Sequence, residues 1–182
     1  MEKFFMNLEQ LFIARQSTRE FSDEPVKDSE LERICRLAIL APSAVNGQPY
    51  KLYGINGEKA KLFAKNIQTN GANKWADAAT AYIVIQQTEP VKIERGTRTV
   101  SNEPFIANDI GILTAYITLA SEDTGIQSCI AGLRDEKGIA KFLNLPEGTR
   151  FPLVIALGHK AVGYPLRNKV RRPLEDTYQL IK

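Results

Sequence analysis

The sequence predicts a single α+β domain, a mixed arrangement of about four strands with helices grouped irregularly between them. Three observations carry this. Short strand-like runs occur at residues 50–55, 81–85, 126–130 and 153–157; those at 81–85 and 153–157 are continuously apolar, and 81–85 is consistent with a buried strand. The helical segments between them do not alternate one for one with the strands. Neither G-x-G-x-x-G after a strand nor G-x-x-x-x-G-K-[ST] occurs, which argues against a Rossmann or P-loop architecture. A length of 182 residues suits one compact domain, here 1–182, because no linker, repeat or low-complexity tract divides the chain.

Each element follows from its local pattern. Residues 7–14 form a first helix with Leu8, Leu11 and Phe12 on one face. A polar run, 15–19, leads into 21–26, which contains Pro25 and is extended. A second helix starts near Asp28/Ser29, where Ser29 and Glu32 fit a capping box. Leu31, Ile34, Cys35 and Ala38 recur at helical spacing, and Pro42 ends the run. The loop 42–49 precedes the strand 50–55, and 58–67 is helical. Residues 88–104 lack periodicity, as a functional loop or lid does. The helix 105–123 is apolar on several faces, which predicts a place in the centre of the core, and Gly125 caps it. The strand 126–130, a helix at 135–143 and the strand 153–157 complete the regular elements. The tail from Gly163 is polar and basic.

Composition excludes several kinds of chemistry. There are 24 Lys+Arg against 21 Asp+Glu, two cysteines and one histidine. A Cys₄ or Cys₂His₂ zinc site needs more soft ligands than the chain has. No C-x-x-C occurs, and two cysteines make no disulfide framework. A Ser-His-Asp or Cys-His mechanism would have to run through His159 alone, and that residue is expected to be structural or at the surface. Hydrophobic residues at 43% and charged residues at 25% argue against disorder. No secretory leader and no run long enough to span a bilayer is visible, so a cytoplasmic setting without membrane contact is the expectation.

Four constellations can carry chemistry. Arg15-x-Ser17-x-Arg19 places two guanidinium groups about a hydroxyl, on one side if the run is a helical turn. That set can hold an anion by charge-assisted hydrogen bonds, or be a solvated basic helix end. In the tail, Arg167, Lys169 and Arg171 share one face if extended, with Arg172 and Pro173 next in the chain. Such a cluster can close on a phosphate or remain a flexible basic tail; no interleaved aromatics support single-strand nucleic-acid binding. The loop Ala41-Pro42-Ser43-Ala44-Val45-Asn46-Gly47-Gln48-Pro49 carries a hydroxyl and two carboxamides, equipment for reading a heterocycle edge or simply for turning. Ser128-Cys129-Ile130-Ala131-Gly132-Leu133 ends a strand in small residues, where backbone can approach something flat or merely bulge.

In order along the chain these motifs run R-x-S-x-R, A-P-S-x-x-N-x-Q-P, D-x-G within an apolar helix, T-G-I-Q-S-C-I-A-G, L-G-H-K and K-x-R-R-P-L-E. The series resembles the nitroreductase family of FMN-dependent oxidoreductases, from about Leu11 to Asp176. The resemblance implies an α+β fold with a largely antiparallel sheet flanked by helices. It implies an intertwined homodimer with FMN at the subunit interface. Arg15 and Ser17, with Gln16 between them, match phosphate-binding positions, and Lys169 and Arg171 match C-terminal phosphate ligands. Arg19 matches the basic residue near the flavin pyrimidine. Pro42, Ser43, Ala44, Asn46 and Gln48 match the loop that reaches the flavin from the other subunit. Ala131, Gly132 and Leu133 match the strand end facing flavin N5. Departures are Gln16 where Arg is frequent, Ala44 where Ser is frequent, and Ala131 where some members carry Glu. The implied activity is ping-pong hydride transfer from NAD(P)H through FMN to a small planar acceptor, a nitroaromatic or quinone. The alternative is a flavin-binding, sensing, dehalogenating or flavin-fragmenting relative without general NAD(P)H turnover. Flavin carries such chemistry, so no catalytic side chain and no metal is expected.

Overall fold

The computed structural model describes residues 7–91 and 103–182. Its elements are α1 (Leu8–Ala14), α2 (Asp28–Ala38), β1 (Tyr50–Asn56), α3 (Gly57–Phe63), β2 (Ala81–Gln87), α4 (Glu103–Asp123), β3 (Gln127–Ala131), α5 (Glu136–Phe142) and β4 (Leu153–Gly158), joined by short 3₁₀ turns. The strands form one sheet in the order β1-β2-β4-β3, every neighbouring pair antiparallel. Residues 92–102 lie outside the described part, and the lid reading of 88–104 lies largely with them.

The two central strands explain their continuous apolar runs. On β2, Tyr82 and Val84 face one core while Ala81, Ile83 and Ile85 face the other. On β4, Val154 and Ala156 alternate in the same way with Ile155 and Leu157. Period-2 alternation makes both sets buried only because helices cover both faces. Phe63 from α3 and Ile139 from α5 belong to the first core; Ile34 from α2 and Leu113 and Ile117 from α4 belong to the second. Fully burying each large aliphatic side chain contributes about 1.5–3 kcal/mol.

Two expectations need correction. The α2 start is capped by Glu30, whose carboxylate accepts from the Lys27 N–H at 2.9 Å. Ser29 is exposed and Glu32 pairs instead with Arg36 one turn on. The helix begins two residues earlier than the Ser29–Glu32 pattern requires, with Lys27 at the N-cap, so the back-bonding acid is Glu30. The second correction concerns α4. Ile106, Ile110, Leu113 and Ile117 face the core, but Phe105, Ile112 and Tyr116 are 38–40% exposed. Among the described residues the helix packs by one stripe, against α2, α1 and the sheet.

Candidate functional site

The segment after α1 is extended, not helical. Arg15 ends α1 with its N–H on the Leu11 carbonyl, and from there the chain runs beside the free edge of β3. Ser17 bridges Ser128 in parallel, and the Thr18 N–H donates to the Ser128 carbonyl at 2.9 Å. Arg15, Ser17 and Arg19 therefore share a face by the period of an extended chain, while Gln16 and Thr18 turn inward and are buried. The same-side expectation holds, for a different reason: the helix ends at Ala14, and pairing with the sheet edge shapes residues 15–19.

Packing beyond this run holds it in place. Phe21 lies against Gly158, where a Cβ would come within 2.8 Å of the ring, so β4 must end in glycine for the chain to pass. The Ser22 N–H donates to the His159 carbonyl at 2.8 Å, and the Ala161 N–H to the Glu20 carbonyl at 3.0 Å. His159 thus contributes through its backbone, with its ring 3.7 Å from the Glu24 carboxylate.

The tail returns to the same place. Gln16 receives the Arg167 N–H on Oε1 at 3.0 Å and donates from Nε2 to the Pro165 carbonyl at 3.0 Å. Arg167 also donates to the Ser17 carbonyl, and Lys169 Nζ donates to the Ile13 carbonyl. These bonds join segments about 150 positions apart. They close a basin of about 240 Å³ lined by Arg15, Gln16, Ser17, Arg167, Asn168, Lys169 and Arg171. The basin gathers Arg15, Gln16, Ser17, Lys169 and Arg171, all expected from the sequence. It adds Arg167, which the sequence marks only as a tail cation, and Asn168, which no local signal marks.

The electrostatics is that of an anion site. Loss of hydration, together with the Arg15 and Arg171 charges, holds the Lys169 ammonium below the ordinary lysine range, while Glu122 opposes the shift. A concave set of guanidinium, ammonium and hydroxyl donors with a common opening fits a phosphate monoester. Beside it, burial pushes the Cys129 thiol up, and Arg19, Arg167 and a hydrogen bond with Ser17 partly oppose that. Arg19 therefore sits close enough to β3 for its charge to act there. Cys35 is likewise raised by burial, so neither thiol is activated.

At the far end of β3 the chain opens into a shallow cleft lined by Gly132, Leu133 and Arg134, with Lys65, Gln68 and Thr69 across it. Gly132 is exposed, and a Cβ there would meet nothing within 4 Å. Arg134 Nη1 holds the Gly132 carbonyl at 2.5 Å while Nη2 pairs with Glu136 at 2.8 Å. Ala131 is buried beneath. Ser128 to Gly132 spans four residues, about 13 Å along an extended chain.

The loop at Pro42–Gln48 does not line the basin. Its Ala44 N–H donates to the buried Asp109 carboxylate at 2.9 Å, and the Gln48 N–H donates to Ser43 Oγ at 3.0 Å. Val45, Asn46 and Gln48 all adopt positive φ, at 46°, 55° and 43°. For a β-branched residue such as Val45 this conformation is strained, by about 1–3 kcal/mol. Asp109, visible in the sequence only as part of D-x-G, is the anchor that holds this shape.

An anion basin beside β3 and an exposed glycine beyond that strand's far end define a class of α+β proteins suited to an anionic ligand with a flat ring. The sequence profile of the Nitroreductase family matches residues 13–159, and the chain belongs to that family. The match stops short of Lys169 and Arg171. An FMN reductase [NAD(P)H] from Bacillus subtilis is 25% identical over 171 residues, covering 87% of this chain, which spans 66% of that relative's length. A nitroreductase family protein from Streptococcus pneumoniae superimposes with a TM-score of 0.78 at 20% identity, over 96% of this chain and 100% of the other. A Desulfovibrio desulfuricans protein solved in complex with FMN superimposes with a TM-score of 0.76 at 21% identity, over 97% and 98%. The largely antiparallel sheet with flanking helices is the fold these relatives share. Among the described residues, no helix is long and apolar enough to cross a membrane.

Proposed function

We propose that this chain is an FMN-dependent oxidoreductase that takes hydride from NAD(P)H and delivers it to a small planar acceptor. The observation that carries the reading is the basin in which Arg15 and Ser17 meet Lys169 and Arg171. Bound FMN supplies the redox chemistry, a two-step hydride relay between NAD(P)H and a nitroaromatic or quinone.

The protein's own residues do the rest. Arg15, Ser17, Lys169 and Arg171 hold the phosphate, each charge-assisted bond contributing about 1.5–3 kcal/mol. Gln16 keeps the tail folded onto the basin through its two bonds to 165 and 167. Arg19 would supply positive charge beside the bound ring. The Gly132 N–H offers a donor toward the ring edge, and the glycine's bare Cα leaves room for a flat ring. Arg134 steadies that glycine through its carbonyl.

A basin of about 240 Å³ is below the ~300–1,000 Å³ of a complete small-molecule pocket. The missing wall comes from a second copy in this reading. The outer face of α4 carries Phe105, Ile112 and Tyr116, with Ala107, Gly111 and Ala115 at four-residue spacing, all exposed. Leu8, Phe12 and Ile13 on α1 and Val162, Val170, Leu174 and Ile181 in the tail add more apolar surface. So much exposed apolar surface marks a protein interface. A homodimer that buries it also brings Pro42, Ser43, Ala44, Asn46 and Gln48 to the other subunit's flavin.

The test is the absorbance spectrum of the protein as isolated, then anaerobic stopped-flow mixing with NADH and with NADPH. A yellow protein that bleaches on mixing is expected. A colourless protein that binds no added FMN overturns the cofactor, and a yellow one that neither nucleotide bleaches favours the sensing reading.

A further inference from the structure

Beneath the anion basin lies a carboxylate that phosphate binding does not use. Glu122, in the last turn of α4, is 8% exposed, and its Oε2 has no hydrogen-bond partner. Two features of the site disfavour its charge. It is removed from water, and it stands at the negative end of a helix dipole.

What surrounds it is basic and belongs to the basin. Arg15 at the end of α1, Lys169 in the tail and Lys160 after β4 all face it electrostatically. The Gln127 amide from β3 hydrogen-bonds it while accepting the Lys160 N–H at 2.9 Å. Lys169 Nζ is tied to the carbonyl of Ile13, two positions before Arg15. On its own helix the nearest acid, Asp123, is paired with Arg33 of α2 at 3.4 Å. Glu122 is thus the carboxylate that opposes the basin's cations while no anion is bound.

We propose that Glu122 makes phosphate binding in this basin proton-linked. The carboxylate is ionised while it neutralises Arg15 and Lys169. A phosphate dianion takes over that role, and two anions sharing the same cations repel. Glu122 then takes up one proton, and no other atom changes hands. Burial already pushes this carboxyl up, the direction that makes such uptake accessible. The consequence is a ligand affinity that falls as pH rises, and a site that distinguishes a phosphorylated from an unphosphorylated flavin by proton uptake as well as by contacts.

The inference rests on the FMN reading, and the experiment separates the two. FMN and riboflavin are titrated into apoprotein by calorimetry, in two buffers of different ionisation enthalpy, from about pH 5.5 to about pH 8. The phosphate's own second ionisation, near pH 6, moves protons equally in wild type and variant, so the difference between them isolates Glu122. Proton uptake with FMN is expected in wild type but not in Glu122→Gln, and with riboflavin in neither. The variant is expected to bind FMN roughly tenfold more tightly than wild type near pH 8, because no like charge remains beside the phosphate. Equal proton uptake in wild type and variant, or equal uptake with FMN and riboflavin, overturns the proposal. FMN binding to wild type without the uptake overturns it while leaving the cofactor reading intact. No FMN binding at all removes both. Near pH 8 the phosphate is already a dianion, so the wild-type measurement there is decisive alone, and a Glu122→Gln protein that failed to fold would not rescue the idea.

Discussion

Arg15 and Arg171 meet across the basin from opposite ends of the chain. Each offers a charge-assisted bond, so removing both costs about 3–6 kcal/mol of FMN affinity. That is roughly two to four decades in Kd, with solvent around exposed Arg171 favouring the lower end. Arg15→Ala with Arg171→Ala is therefore expected to purify colourless, by absorbance. A fully yellow double variant would show the phosphate to be held elsewhere. At Glu122 the linkage has a definite sign. Its carboxyl is raised above the unfolded value of about 4.3, so folding favours the protonated form. That contribution is complete below the unfolded pKa and is lost as pH rises through the folded one. Glu122→Gln apoprotein is expected to match the wild-type Tm near pH 4 and exceed it near pH 7.5. Thermal scans at the two pH values check this, and a lower Tm for the variant at the higher pH contradicts it.

Among the elements, α2 shows where local pattern and structure part. Spacing from Ser29 selects Glu32 as the capping acid, and the fold uses another. In the fold Glu30 reaches back to Lys27 while Glu32 makes an exposed pair with Arg36. Glu30→Ala is expected to cost about 1 kcal/mol, a Tm loss of about 2–4 °C for a domain of this size. Glu32→Ala should stay within about 0.5 kcal/mol. Equal losses in calorimetric melts would refute the assignment of the cap. The strands are more legible than the helix ends. An unbroken apolar run such as 81–85 has one economical fate, a central strand covered on both sides, and β2 is that strand. The segment 15–19 is legible as a cluster but not as a shape, because nothing local distinguishes a last helical turn from a chain about to pair with a distant strand.

For the whole molecule, the exposed stripe of α4 sets the main expectation. Gly111 lies in that stripe with open space around it. Gly111→Arg adds bulk and charge where a second copy is proposed to pack, while leaving the chain's own core untouched. Light scattering is expected to show a dimer for wild type and a monomer for the variant. Flavin content is expected to fall with the dimer, since the loop at 42–48 would no longer be supplied. A variant that remained dimeric and fully yellow would place the interface on another face.

The sequence by itself determined which segments are helices and strands, which chemistry is excluded, and which residue types await an anion. These come from period, composition and short-range sterics, all written within a few residues of where they act. It also carried the family resemblance, because the order of its motifs survives in one dimension. Only the tertiary structure decided that Gln16 clamps Arg167 across 151 positions, that Gly158 makes room for Phe21, and that the loop with Val45 hangs on Asp109. Only it showed Glu122 buried beneath the cations and α4 half uncovered. Those outcomes depend on which surfaces meet when the sheet closes, and a pairing between residues far apart in the chain leaves no mark on the neighbours of either.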